Sequence, residues 1–356
     1  MIIGVDAGML GISDDRLKVG VYWVAVNLLQ QLSLLDSTHT YRLYSMQPID
    51  PLLMKSFGSR MENRVIRPRR GWFSFWLPLE LHLHPVDMFL ALGQGIPTSR
   101  ARSIGFVYDL GFLHHPELYP DSATKLRELT KNLVRKATHV ITISESVKAD
   151  VIKAFGVAAS SITVALLGVS ERFKSNEDVF QGKRPYYLYV GSLKRGKNLP
   201  ALIRAFAQVR QVVDADLYLA GSDFWLDPDI EKTAQSEGVA QYVRRLGYVP
   251  DQKLGTYYKG AIAFVSPSLV EGFCLPAVEA MSSGCPVIVS DIPTFSEVVG
   301  DAGMQINPQD HQALARAMES MCEKKVRATY INRGKMQSQK YSWKSFGQSV
   351  LAAINS

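Results

Sequence analysis

The chain is poor in cysteine and has no apolar run approaching the ~20 residues that a membrane span needs. Its 356 residues include three cysteines, Cys274, Cys285 and Cys322. So sparse and odd a set argues against a disulfide framework and for a reducing compartment. None of the three sits at a CxxC or other metal-ligand spacing. No basic segment and apolar stretch of a secretory signal precede the strand-like residues 1–5, so a cytoplasmic protein is expected. Low-complexity tracts and short-period repeats are also missing. Charged residues make up 21% and apolar residues 47%, the balance of a soluble globular protein. The length suits two domains of ordinary size.

Acidic residues are outnumbered, and the net charge of +7 suits an anionic partner: nucleic acid, a membrane surface or a phosphate-bearing substrate. No nucleic-acid motif accompanies the charge, so nucleic acid is not expected. The densest basic stretch is Arg60, Arg64, Arg67, Arg69 and Arg70, followed at once by Trp72, Phe73, Phe75 and Trp76. Basic residues beside aromatics suit a membrane interface. The favoured reading is a solvated loop entering a helix over 72–83 whose aromatics pack in the core, because strand-like residues 87–92 follow. Peripheral contact with the inner face of a membrane is the secondary expectation.

What the chain has in quantity is alternation. Short β-rich apolar runs at 1–5, 40–44, 88–91, 103–107 and 139–143 alternate with helical patterns at 21–35 and 122–136. A further helix follows Ser144 as N-cap and stops at Gly156. The second half repeats the scheme, with strands predicted at 186–190, 215–219, 243–246, 261–265 and 287–290. Helices there start near Leu199, Pro228, Asp251 and Pro276. Such alternation predicts parallel sheets covered by helices, each binding ligands beyond the carboxyl ends of its strands. The polar stretch 172–185 has a linker's composition.

The most informative segment is 266–281, which holds Glu271 and Glu279 eight positions apart. A buried strand, a glycine-containing loop (Gly272, Phe273, Cys274, Leu275) and a helix opened by Pro276 and closed before Gly284 form an anion site. Two carboxylates beside it call for a ligand with hydroxyls as well as phosphate, such as a nucleotide sugar. A second strand–glycine–basic-loop–helix unit, "GSLKRGKN", holds Gly191, Ser192, Arg195 and Lys197, and places Lys197 near a phosphate. Taken alone, it reads equally as a solvated basic turn.

The stretch "PSLVEGFCLPAVEAMSSGCPVIVSD", continuing to "EVVGDAG", resembles the E-x7-E signature of the retaining glycosyltransferases of family 4, the glycogen synthase and mannosyltransferase-like group 1 enzymes. The resemblance covers nearly the whole chain and is densest over 242–303. It implies an α/β chain of the GT-B fold, two Rossmann-like doubly wound domains facing a central cleft. Residues 1–175 would bind the acceptor and 176–337 the nucleotide sugar, with 338–356 forming a helix that crosses back to the first domain.

The resemblance also implies roles for single residues. Glu271 would contact the donor sugar and Glu279 the ribose, while Gly20, in "RLKVGVYWVAVNLL", would face the diphosphate with Lys197. Tyr248 and Val249 would meet the base. Tyr108 and Asp109 occupy the family's His-Asp position; a tyrosine, with a pKa of about 10, is a poor base near neutrality. In the mechanism the family implies, the leaving phosphate oxygen takes the acceptor's proton, and no cofactor or metal is needed.

The chain departs from the pattern at Cys274 and Gly196, where the family has Gly and Arg, and at Ser192, another arginine position. Asp227-Pro228-Asp229 reads as helix capping rather than a metal-binding DxD. His114 and His115 read as loop-fixing residues. The expected activity is hexosyl transfer, mannose favoured, from a nucleotide sugar to a glycan or lipid-linked acceptor. The alternatives are a UDP-glucose-dependent glucosyltransferase, a catalytically silent sugar-nucleotide scaffold, and a hydrolase or phosphorylase.

Overall fold

A computed structural model describes the chain apart from residues 19, 94, 176–177 and 224–225, and the side chain of Ser175. The predicted linker at 172–185 and the predicted loop before Gly20 each fall partly outside the described residues. The chain divides into two compact units, Met1–Gly168 with Trp343–Ser356, and Val169–Ser342.

The first unit is built on strands β1 (Ile2–Asp6), β2 (Thr40–Ser45), β3 (Met61–Val65), β4 (Met88–Ala91), β5 (Arg102–Val107), β6 (His139–Thr142) and β7 (Ile162–Val164). They form one parallel sheet in the order β3-β2-β1-β4-β5-β6-β7. The second unit carries β8 (Tyr186–Val190), β9 (Asp216–Ala220), β10 (Val243–Gly247), β11 (Phe264–Ser266), β12 (Val287–Ser290) and β13 (Gly303–Ile306). Its sheet is also parallel, ordered β10-β9-β8-β11-β12-β13. In each sheet the strand order reverses at the centre, beside β1 and beside β8, so neighbouring crossover loops diverge there and open a crevice.

Burial on both faces explains why most of these strands were visible as unbroken apolar runs. In the second unit Leu199, Leu202 and Phe206 of the helix Leu199–Val209 pack over Tyr187, Tyr189, Leu217 and Leu219, all essentially buried. Each such side chain contributes ~2 kcal/mol of transfer free energy. β3, β7 and β13 were not predicted. β3, Met-Glu-Asn-Arg-Val, is a polar sheet edge that reads as a basic loop, and the other two are short. The predicted strand 261–265 begins later, at Phe264. The helix placed after Pro276 begins one residue earlier, at Leu275, with the proline in its first turn.

The predicted cap at Ser144 is present: its hydroxyl accepts from Val147 N at 3.2 Å. Gly156 ends that helix in the left-handed region at φ 67°. The last helix, Trp343–Asn355, lies against the helix Gly20–Leu35 in the first unit. Gly347 permits the approach, since a Cβ there would stand 2.6 Å from Gln31 Cβ and 3.1 Å from Leu35 Cδ1.

Candidate functional site

The second unit gathers its polar residues at the carboxyl ends of β8 and β11. β8 runs into Gly191, whose φ of 147° and whose distance of 2.8 Å from a would-be Cβ to the Tyr189 hydroxyl both demand glycine. That hydroxyl donates to Ser192 O at 2.9 Å and so pins the loop. Burial raises the Tyr189 pKa well above the usual phenol value, with the nearby charge of Glu271 adding to it. A single 3-10 turn, Arg195–Lys197, then leads through Asn198 at φ 54° into the helix Leu199–Val209. The Asn198 side chain, whose short amide tolerates this left-handed turn, donates to Pro308 O at 2.8 Å.

The β11 loop is tied to the β8 loop by Leu269 N donating to Gly196 O at 3.0 Å. This brings Lys197 onto Glu271. Lys197 Nζ donates to Glu271 Oε1 at 2.5 Å, and the two side chains are only 16% and 11% exposed. Ser268 Oγ donates to the same carboxylate oxygen at 2.8 Å, and Thr294 Oγ1 to the Glu271 carbonyl at 2.8 Å. The carboxylate is therefore oriented by a cation and a hydroxyl, and its backbone is anchored separately.

Beyond Glu271 the chain turns sharply. Gly272 is buried, and Phe273 packs edge-on against Tyr341 with ring centroids 5.4 Å apart, so its side chain belongs to the core. Cys274 holds φ 68° at the mouth of the helix Leu275–Ser282. A left-handed residue costs roughly 1–2 kcal/mol unless it is glycine, which accounts physically for glycine as the family's usual residue there. Burial, then the charge of Glu271, push the Cys274 thiol pKa far up, so it is held neutral.

Glu279 lies one turn further along that helix and accepts from the Tyr258 hydroxyl at 3.0 Å. Burial and the charge of Asp251 push its carboxyl up to about 7. Asp251 itself is raised by burial, offset in part by Arg172, whose Nη2 donates to Asp251 Oδ2 at 2.6 Å. Tyr248 and Val249 follow the left-handed Gly247 and are half-buried. Arg195 stands apart: its side chain is 57% exposed and 3.8 Å from the buried Asp227. Asp227 accepts from Asp229 N at 3.1 Å, which is the capping geometry read for Asp-Pro-Asp.

In the first unit the Tyr108 hydroxyl donates to Leu92 O at 3.0 Å. Burial, and then the charge of Asp6, raise its pKa far beyond the usual value. Asp109 is exposed and accepts from Gly111 N at 3.0 Å, a turn-forming contact. Gly20 opens its helix with nothing within 4 Å of a would-be Cβ. His114 and His115 are paired with Asp150 and Glu117 at 2.7 Å and 2.9 Å.

One residue escaped the sequence reading. Asp6, at the carboxyl end of the central strand β1, is buried and accepts from Gly8 N at 3.1 Å and from Gly93 N. Burial raises its pKa, and these amides oppose the rise. The available signal was an acid closing the apolar run Ile-Ile-Gly-Val.

The profile of the family described as glycosyl transferases group 1 matches residues 170–337. The chain is 28% identical over 322 residues to O-antigen chain mannosyltransferase B of Escherichia coli, covering 85% of this chain and 80% of that protein. It is 29% identical over 254 residues to O-antigen chain mannosyltransferase RfbU of Salmonella typhimurium, covering 70% and 69%. The structure of Anabaena Alr3699/HepE in complex with UDP-glucose superposes with a TM-score of 0.79 at 17% identity, covering 99% of both chains. Residues 170–337 match the glycosyl transferases group 1 profile, the two units have the GT-B fold, and these likenesses together support a glycosyltransferase.

Proposed function

We propose that the chain is a retaining hexosyltransferase of family 4 that moves mannose from a nucleotide diphosphate donor to a hydroxyl of a glycan or lipid-linked acceptor in surface-polysaccharide synthesis. The observation that carries the reading is the carboxylate of Glu271, oriented by Lys197 and Ser268 beside the backbone amides of a helix opening. Glu271 contacts the sugar hydroxyls. Lys197 and the amides of Gly272, Phe273, Cys274 and Leu275 take the diphosphate, with Gly191, Ser192 and Arg195 around it. Glu279 holds the ribose, and the backbone at Tyr248 and Val249 meets the base. Tyr108 and Asp109 lie on the acceptor side, in the unit Met1–Gly168.

In the reaction the bond from the anomeric carbon to the diphosphate oxygen breaks, and a bond to the acceptor oxygen forms on the same face. The acceptor's proton passes to the departing phosphate oxygen. The protein's contribution is alignment and charge stabilisation, and the charge is met by Lys197 without a metal or cofactor. Mannose is favoured by the two relatives described as O-antigen chain mannosyltransferases and by the "GSLKRGKN" loop. UDP-glucose, bound in the Anabaena structure, is the second donor to try.

The test is nucleoside diphosphate release from GDP-mannose and UDP-glucose, with and without an acceptor alcohol, by the wild type and by Glu271→Ala. Acceptor-dependent transfer with retained configuration, lost in the variant, is expected. Tight donor binding without turnover of any donor would instead establish a silent scaffold. Cleavage of donor or disaccharide that needs no acceptor would establish a hydrolase or phosphorylase.

A further inference from the structure

A short helix of the first unit is apolar on two opposite faces. The π-helical turn Trp72–Trp76 runs into the helix Leu77–Leu83. Trp72, Leu77 and Leu81 are buried and pack with Tyr44, Phe89 and Ala91 on the sheet. Phe75, Leu79 and Leu83, spaced by four, lie on the other side and are 57%, 38% and 61% exposed. The expectation that the aromatics here would all be core thus holds for Trp72 and fails for Phe75. A surface helix ordinarily turns polar residues outward, and an apolar outer stripe needs its own partner.

The charge beside the stripe identifies that partner. Arg67, Arg69 and Arg70 are exposed immediately before the turn, where Trp72 N donates to Arg69 O at 3.1 Å. The helix Ala123–Lys136 lies on the same face of the sheet. Its Leu133 covers Gly105 of β5, and Gly105 is in register with Ala91 of β4, beneath the striped helix. That second helix exposes Lys125, Arg127, Arg135 and Lys136. Its one exposed acid, Glu128, is 3.8 Å from Lys131. Among the described residues no helix is long and apolar enough to cross a membrane.

We propose that this face of the unit rests on an anionic lipid bilayer, with Phe75, Leu79 and Leu83 entering the headgroup boundary and the arginines pairing with lipid phosphates. Apolar stripes flanked by cations are what such interfaces bind. A second copy of the chain fits poorly, since a two-fold contact would set arginines against arginines. Nucleic acid would leave the aliphatic stripe uncovered.

The test is co-sedimentation of the full chain with vesicles of phosphatidylcholine alone and of phosphatidylcholine mixed with phosphatidylglycerol. Binding to the mixed vesicles, weakened by salt, is expected. Replacing Arg67, Arg69 and Arg70 together by Gln should lower the partition on the order of a hundredfold. Phe75→Ser, Leu79→Ser and Leu83→Ser together should lower it on the order of tenfold. All six positions are exposed, so circular dichroism and the melting temperature should stay at wild-type values in both variants. Equal binding to the two vesicle types, or mixed-vesicle binding that neither variant reduces, would overturn the proposal. So would a dimer in light scattering that the serine variant dissolves, which would make the stripe a contact between copies. Transfer activity plays no part in these readouts.

Discussion

Lys197 Nζ donates to Glu271 Oε1 at 2.5 Å across 74 residues of sequence, joining the first crossover loop of the second sheet to the loop after β11. Each side chain is too buried to carry its charge alone. Desolvation of such a pair is tolerated only while both members are present, and removing one strands the other at a cost of ~3 kcal/mol or more. The pair therefore couples the stability of two loops to the two residues proposed to handle sugar and diphosphate.

Glu271→Ala should lose transfer by about three orders of magnitude, comparable with loss of a strong transition-state contact, and should also lower the urea midpoint. Lys197→Met should lower stability similarly. The double variant Glu271→Ala with Lys197→Met should regain stability over the sum of the single losses by ~1–3 kcal/mol while staying inactive. Additive stability losses in the double variant would mean that the two groups do not share an energetic contact.

Glu279 gives a pH signature. Its folded pKa of about 7 stands above the ordinary 4.5, chiefly through burial. Between those values the folded protein keeps a proton that the unfolded chain releases. Stability should therefore fall as pH rises through this window, by up to ~3 kcal/mol, and level off above it. Glu279→Gln should flatten that slope and raise KM for the donor more than it lowers kcat. A flattened slope with an unchanged KM would leave Glu279 a purely structural residue.

Much of this was legible in advance because parallel strands buried on both faces are written as continuous apolar runs, and β1, β4, β8 and β12 are of that kind. β3 was not legible, since a sheet edge tolerates Glu62, Asn63 and Arg64. Glu271, Glu279 and Lys197 were visible as residue types beside glycine loops. Their contacts were not: the partners Ser268, Tyr258 and Thr294 are ordinary side chains whose roles appear only in three dimensions. Asp6 was hidden for the converse reason, since one acid at a strand end looks like the start of a loop until its burial is seen.

The backbone at Cys274 separates two costs. At φ 68°, a β-branched residue is sterically worse than cysteine, and glycine is free of the penalty. Cys274→Gly should be stable to within about 1 kcal/mol of the wild type, the relief of the left-handed strain offsetting the lost side-chain burial. Cys274→Val should lose ~2 kcal/mol or more. Thermal melts of the two variants decide this. In the native wild type, a thiol reagent should label the exposed Cys322 and spare Cys274 and Cys285, whose pKa values are raised by burial.

Tyr108 tests where the acceptor's proton goes. Its hydroxyl proton is committed to Leu92 O at 3.0 Å, and burial beside the charge of Asp6 holds the phenol neutral. A group so placed cannot serve as a general base near neutrality, and in the proposed mechanism the departing phosphate oxygen takes the proton instead. Tyr108→Phe removes one hydrogen bond while keeping the ring stacked near Phe106. It should cost ~1 kcal/mol of stability, leave kcat within a few-fold of wild type and leave the pH profile of kcat unmoved. A hundredfold fall in kcat with a displaced profile would return the phenol to the chemistry. Asp6→Asn is the companion variant, because it removes the neighbouring charge while preserving an acceptor for the amides of Gly8 and Gly93. If the phenol stays neutral in the reaction, this variant should not shift the kcat profile either, and any effect of the charge should appear in acceptor KM.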